Sequence, residues 1–181
     1  WQAEALAAWR DRGRQGVVEA ITGAGKTMVG LTAAWEELQH GGRVEFIVTS
    51  IEFQNQWAEL VKERFPQHRL GLLGGGHQDR LSEVDVLVAT VNSARNIQAD
   101  TGGRHALLVA DECHRYASER NAEALDKSCF EARLGLSATF ERTDDRHLDV
   151  LEPFFGETCF ELDYAGAIAD EVTAHFKIAL V

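Results

Sequence analysis

The sequence has little proline, little cysteine and no long apolar run. Two prolines and three cysteines occur among its 181 residues. Cys113, Cys129 and Cys159 are widely spaced and form no C-x-x-C pair, so the pattern favours neither a disulfide framework nor a zinc site. No apolar stretch approaches the roughly 18 residues that a membrane-spanning helix needs, and no secretory signal is recognisable at the start. We therefore expect no membrane span and a cytoplasmic location.

Positive charge is also scarce. Eighteen lysines and arginines stand against 29 aspartates and glutamates, which gives a formal net charge of -11. Binding to the phosphates of nucleic acid depends on clustered lysine and arginine. This composition excludes the surface as a whole from being a nucleic-acid interface, so any contact with nucleic acid is expected to be local.

Size and composition favour one globular domain. A chain of 181 residues is long enough to bury a hydrophobic core and too short for two domains of ordinary size. Its composition, 45% hydrophobic and 26% charged, is typical of a globular protein. The chain begins at Trp1, without methionine, and stops at Val181 within an apolar alternating segment. These ends indicate a piece of a longer protein.

Short apolar runs alternate with helical patterns along the chain. This alternation predicts an α/β fold with a mostly parallel sheet and helices on both faces. Glycines at 74–76 indicate a loop. The predicted strands are 17–20, 44–49, 86–90, 106–110, 133–137 and 158–162. The predicted helices are 2–12, 52–65, 118–127 and 146–154, together with one that begins within residues 20–27 and ends at residue 39. Helical spacing predicts buried stripes that contain Leu6, Trp9, Trp35, Phe53, Trp57, Leu60 and Val61.

Residues 20–27, A-I-T-G-A-G-K-T, follow an apolar run and open a helical pattern. This context is the one that a phosphate-binding P-loop requires, because glycines let backbone N–H groups surround phosphate oxygens. Lys26 is expected to reach the β and γ phosphates of ATP, and the Thr27 hydroxyl to bind Mg²⁺. The generic pattern begins with glycine, whereas this chain has Ala20. The alternative is a turn that merely joins a strand to a helix. The predicted nucleotide contacts in this segment are Thr22, Gly23, Ala24, Gly25, Lys26 and Thr27.

A pair of carboxylates, Asp111 and Glu112, follows the apolar run 107–110. Ligands of open α/β sheets gather at the carboxyl ends of the strands. We therefore expect Asp111 to hold Mg²⁺ beside the P-loop and Glu112 to orient or deprotonate the attacking water. The alternative is a solvated acidic turn. Together with Lys26, these two carboxylates are the predicted catalytic residues.

Three segments together resemble motifs I, II and III of superfamily 2 helicases of the DEAD/DEAH type. They are A-x-T-G-x-G-K-T at 20–27, D-E-x-H at 111–114 and S-A-T at 137–139. The same family accounts for Ala20, since its P-loops commonly start without the generic glycine. Residues 134–142, L-G-L-S-A-T-F-E-R, look most like XPB-type DNA repair helicases. Restriction-enzyme motor subunits have a similar sequence pattern at these positions, so membership in that group is a second possible assignment.

The resemblance implies roles for further residues. It implies a RecA-like ATPase domain at 1–173, in which Gln2 reads adenine and His114 contacts the nucleotide or motif III. Residues 174–181 would begin the connection to a second RecA-like domain that supplies an arginine finger. The matching positions that would contact nucleic acid, DNA rather than RNA, or couple it to the nucleotide are Thr49, Ser50, Thr90, Asn92, Ser137 and Thr139.

The expected function is therefore ATP hydrolysis that drives unwinding or movement along DNA. Two other classes use the same P-loop and stay open at the level of the sequence. One is a P-loop kinase or nucleotide-sensing switch, and the other is a non-catalytic scaffold domain. The acidic pair Asp111-Glu112 and the segment 137–139 count against the kinase or switch, and the scaffold stays open.

Overall fold

An eight-stranded sheet runs through the centre of the fold. The computed structural model describes residues 1–125, 129–138, 147–163 and 166. The strand order is β4-β3-β5-β2-β6-β7-β1-β8, and every pairing is parallel except that of β3 with β4. The strands are β1 (Gln15–Ala20), β2 (Arg43–Val48), β3 (Leu70–Gly74), β4 (His77–Gln78), β5 (Val86–Thr90), β6 (Ala106–Asp111), β7 (Ala132–Ser137) and β8 (Thr158–Leu162).

Helices cover both faces of this sheet. Because neighbouring strand residues point to opposite faces, Phe46 of β2 belongs to one apolar cluster and Ile47 to the other. The three long helices cover the Phe46 face, and shorter elements cover the Ile47 face. The predicted fold class is confirmed. The helices are α1 (Gln2–Asp11), α2 (Lys26–Gln39), α3 (Ile51–Arg64), α4 (Val91–Ala94), α5 (Glu119–Ala122) and α6 (Glu152–Phe155), with 3₁₀ turns at Leu81–Glu83 and Cys113–Ala117 and a π turn at His147–Leu151.

All six predicted strands are present, whereas β3 and β4 were not predicted. The sequence of β3, L-G-L-L-G, contains no β-branched residue and two glycines, so it lacks the ordinary signals of a strand. The glycines at 74–76 close a hairpin between β3 and β4. The predicted helix at 118–127 is shorter in the structure, where α5 spans Glu119–Ala122, and residues 126–128 lie outside the described residues.

Tryptophan burial follows the inward stripe of each helix. Trp9 is fully buried and Trp57 is 2% exposed, as expected. The prediction for Trp35 is wrong, because this side chain is 51% exposed and lies off the inward stripe of α2 formed by residues such as Ala34 and Leu38. The prediction for Phe53 is also wrong, since its side chain is 40% exposed at the start of α3.

Gln54 connects α3 to two strands by hydrogen bonds from a buried position. It is 1% exposed, and its Nε2 donates to the carbonyl oxygens of Leu73, at 3.0 Å, and Val88, at 2.8 Å.

Replacing Gln54 with leucine is expected to lower the free energy of unfolding by about 1–3 kcal/mol, because two buried carbonyls lose a donor. Urea denaturation measures this change. Gln56→Leu, at an exposed position of the same helix, is the control, and an equal loss in both variants would contradict the expectation.

Membrane insertion was not expected from the sequence. Within the parts of the chain that the structure describes, no helix is both long and apolar enough to cross a bilayer.

Candidate functional site

Three adjacent strands bring the predicted motifs to one edge of the sheet. The order β6-β7-β1 places the end of β7 between the acidic pair at the end of β6 and the loop that follows β1. In the register of these strands, Glu19 pairs with Ser137, and Asp111 pairs with Leu136. Because the three strands are parallel, their carboxyl ends face the same side. Sequence segments that lie about 90 residues apart therefore meet around the end of β7.

The loop between β1 and α2 has the backbone shape expected of a P-loop. Gly25 precedes α2 with a φ of 93°, which only glycine adopts without strain. A Cβ atom at Gly25 would lie 2.9 Å from Nε2 of Gln2, whose amide donates to the Gly25 carbonyl oxygen at 3.2 Å. Ala24 is buried, whereas Thr22 and Gly23 are exposed. The predicted adenine-reading residue, Gln2, thus lies directly on the loop.

Lys26 is the first residue of α2, and its ammonium lies inside the loop. Its side chain is 9% exposed, and Nζ donates to the carbonyl oxygens of Ala20 at 2.6 Å and Ile21 at 3.2 Å. Burial lowers the pKa of Lys26, and the negative charges of Glu112 and Asp111 act against this decrease. The lysine is therefore a buried cation that two backbone carbonyls hold and that the charges of the two predicted catalytic carboxylates stabilise.

Asp111 has both carboxylate oxygens engaged. Oδ1 accepts the backbone N–H of Glu112 at 3.0 Å, and Oδ2 accepts the indole N–H of Trp57 at 2.9 Å. The helical spacing predicts Trp57 as a core residue and does not predict its contact with Asp111. It lies 54 positions earlier in the chain, and the one signal for this contact is that a buried indole N–H needs an acceptor.

Glu112 occupies an unusual backbone conformation. Its φ of 52° and ψ of 48° fall in the left-handed region, which residues other than glycine seldom adopt. Its carboxylate Oε2 lies 3.4 Å from Nδ1 of His114, and both side chains are partly exposed. The turn therefore separates the two carboxylates, with Asp111 directed to Trp57 and Glu112 directed to His114.

His114 connects the acidic turn to the end of β7. Its Nδ1 lies 2.9 Å from Oγ of Ser137, a residue that is fully buried. The predicted contact between His114 and motif III is present for Ser137. Thr139, the other predicted coupling residue, lies outside the described residues.

The predicted nucleic-acid residues lie together at the ends of β2 and β5, which are neighbours in the sheet. Thr49 and Ser50 follow β2, and the Ser50 hydroxyl accepts the N–H of Phe53 at 3.3 Å and so caps α3. Thr90 ends β5, is 5% exposed and donates its hydroxyl to Ser93 at 3.1 Å. Asn92 is exposed. The hydroxyl of Thr90 is thus engaged inside the protein by Ser93.

The fold and these motifs define a RecA-like ATP-binding domain of the superfamily 2 helicase type. The sequence profile of the family described as "Type III restriction enzyme, res subunit" matches residues 1–142. The chain belongs to this family. The predicted membership in superfamily 2 is confirmed, and the alternative of a P-loop kinase or nucleotide switch is not favoured.

Relatives and a solved structure agree with this assignment. The chain is 33% identical over 147 residues to "DNA 3'-5' translocase XPB2" of Sulfurisphaera tokodaii, which covers 81% of this chain and 32% of that protein. It is 28% identical over 167 residues to the general transcription and DNA repair factor IIH helicase/translocase subunit XPB of Schizosaccharomyces pombe, covering 84% and 20%. The UvsW helicase of bacteriophage T4 shares the fold with a TM-score of 0.70 at 20% identity, covering 88% and 58%. The chain thus spans a third or less of the two curated relatives.

Proposed function

We propose that this chain binds ATP with Mg²⁺ and that the protein containing it uses ATP hydrolysis to move along DNA or unwind it. The observation that carries the proposal is the strand order β6-β7-β1, which brings the ammonium of Lys26 in the loop after β1 and the pair Asp111-Glu112 at the end of β6 to one edge of the sheet. Phosphoryl transfer to water requires a cation that pairs with the phosphates. It also requires two carboxylates with different surroundings, one for the metal and one for the water.

The loop between β1 and α2 fits a nucleotide. The first N–H groups of α2 have no acceptor within the helix and suit the oxygens of a phosphate. Phosphates would also supply the negative charge that a buried ammonium such as that of Lys26 needs. We assign the phosphates to residues 22–27 and the adenine side of the nucleotide to Gln2, with His114 at the far side of the nucleotide.

The residues also fit a magnesium ion held jointly with the nucleotide. Among the described residues, no group of three or more His, Cys, Asp and Glu side chains is arranged to bind a metal. Mg²⁺ at phosphate-transfer sites needs only one or two protein ligands beside water and phosphate oxygens, which Thr27 and Asp111 would provide. When bound, Mg²⁺ neutralises charge on the phosphates.

Glu112 is the proposed general base. Its carboxylate would accept a proton from the attacking water, and His114, 3.4 Å away, would restrict its position. Ser137 and Thr139 would couple the nucleotide to the nucleic acid, which Thr49, Ser50, Thr90 and Asn92 would contact. The name of the archaeal relative, a DNA translocase, favours DNA over RNA.

A second RecA-like domain completes the proposed motor. We place the first domain at residues 1–173 and the start of the connection at 174–181, and we assign an arginine finger to the second domain. The support is that the matched segment covers only 32% and 20% of the two curated relatives.

Glu112→Gln in the full-length protein tests the assignment of the base. The amide cannot accept the proton of water, so we expect the rate of ATP hydrolysis to fall by about 10²- to 10⁴-fold. Nucleotide affinity is expected to stay near that of the wild type. Phosphate release with and without DNA measures the rate, and titration with a fluorescent nucleotide measures the affinity.

Glu59→Gln is the matched control for this experiment. Glu59 is 74% exposed and pairs only with Lys62 among the contacts described, so its loss should leave hydrolysis unchanged. Normal turnover by Glu112→Gln would show that another group is the base. A wild-type protein whose hydrolysis does not respond to DNA would contradict the proposed motor.

A further inference from the structure

Trp57 is held in one orientation by three elements. It belongs to α3, it is 2% exposed, and its ring centroid lies 4.5 Å from that of Phe46 on β2. On the third side it meets Gly30 of α2, where an added Cβ would lie only 3.1 Å from the indole ring. The glycine therefore permits the close approach of α2 to the tryptophan. An indole packed in this way has a fixed direction for its N–H group.

This fixed N–H points at a carboxylate of the proposed site. Of the two donors to Asp111, the N–H of Glu112 comes from the next residue and turns with the same loop. The indole of Trp57 comes from a separate element and reaches Oδ2 at 2.9 Å. Rotation of the carboxylate about its own side-chain bond is thus limited chiefly by Trp57.

We propose that Trp57 is a positioning residue for the metal site, holding the Asp111 carboxylate in the orientation that binds nucleotide-bound Mg²⁺. The inference rests on the proposed function, because it assigns the metal to Asp111. Donors that hold a metal ligand in place commonly contribute tenfold to a hundredfold to metal affinity. Trp57 has this geometry although it cannot itself contact the metal.

The chain offers a matched control in Trp9. Trp9 is fully buried, and its indole N–H also donates a 2.9 Å hydrogen bond, but the acceptor is the backbone carbonyl of Arg133. Trp57→Phe and Trp9→Phe each keep an aromatic ring and remove one buried N–H donor. The two variants therefore lose similar packing and one hydrogen bond each, and only Trp57→Phe affects Asp111.

The experiment compares metal binding in the wild-type chain and these two variants. Electron paramagnetic resonance of Mn²⁺ in the presence of ADP gives the metal affinity, and titration of ADP in excess EDTA gives the metal-free nucleotide affinity. We expect Trp57→Phe to weaken Mn²⁺ binding by about 10- to 100-fold. We expect Trp9→Phe to match the wild type in Mn²⁺ affinity, and all three chains to bind ADP alike in EDTA.

A second variant covers the case in which Trp57→Phe does not fold. Gly30→Ala keeps the indole and its N–H but presses on the ring, as well as on Leu136 and Val109, and alanine suits the interior of a helix. We expect a smaller loss of Mn²⁺ affinity in the same direction. Equal Mn²⁺ affinity in the wild type and the Trp57 or Gly30 variant would overturn the inference alone. Absence of ADP binding by the wild type would overturn the proposed function and this inference together.

Discussion

Replacing Lys26 with alanine is expected to remove most of the nucleotide affinity of this chain and most of the ATP turnover of the protein that contains it. The ammonium is buried inside the loop and is the proposed partner of the β and γ phosphates. Removing one partner of a buried charged pair commonly costs about 2–5 kcal/mol, which corresponds to roughly 30-fold to several thousandfold in affinity. Titration with a fluorescent ADP or ATP analogue in the presence of Mg²⁺ measures the loss.

Lys62→Ala provides the comparison for this variant. Lys62 is 60% exposed on α3 and pairs with Glu59, so its removal takes away a surface charge without touching the loop. A screened surface pair of this kind contributes little to stability. Circular dichroism should show folded protein in both variants. Nucleotide affinity retained by Lys26→Ala would remove the central support for the proposed function.

The second large effect is expected when this chain is separated from the proposed second RecA-like domain. The isolated 181-residue chain should hydrolyse ATP about 10³- to 10⁵-fold more slowly than the full-length protein, because an arginine finger on a second domain contributes a factor of this size. The affinity for nucleotide should also be lower in the isolated chain. Phosphate release at saturating ATP, with and without DNA, measures both proteins under the same conditions.

Two further results show whether a second domain accounts for the difference in hydrolysis rate. Adding the remainder of the protein as a separate polypeptide should restore part of the rate if the missing group comes from there. Rapid, DNA-stimulated hydrolysis by the isolated chain would contradict the proposal that a second domain completes the site. It would leave the assignment of Lys26 and Glu112 in place, because those residues lie within the chain itself.

The elements that could be predicted from the sequence are those with strong local signals. The P-loop was recognisable because glycines, Lys26 and Thr27 stand at fixed positions between an apolar strand and a helix. The acidic pair was recognisable because it follows a run of buried apolar residues. Both segments lie at the same edge of the sheet in the structure, as their positions after parallel strands required.

Other features depend on tertiary contacts and carry no local signal. The strand β3 forms because β5 lies beside it, although its own sequence has two glycines and no β-branched residue. The hydrogen bond between Trp57 and Asp111 joins residues 54 positions apart, and neither residue alone indicates the other. Trp35 is exposed on α2. Its burial was wrongly predicted because helical spacing alone does not determine which side of the helix faces the sheet.

The hairpin of β3 and β4 has a consequence for the behaviour of the protein at high concentration. The outermost strand on that side, β4, has only two residues, and both are exposed and polar. A long unpaired edge strand would present a row of N–H and C=O groups on which a strand of another molecule could assemble. Pairing with β4 covers Leu73 and Gly74 of β3, and Asp79 hydrogen-bonds to both backbone groups of Leu72. The part of β3 that stays open is therefore short, which disfavours the addition of a strand from another molecule at this border.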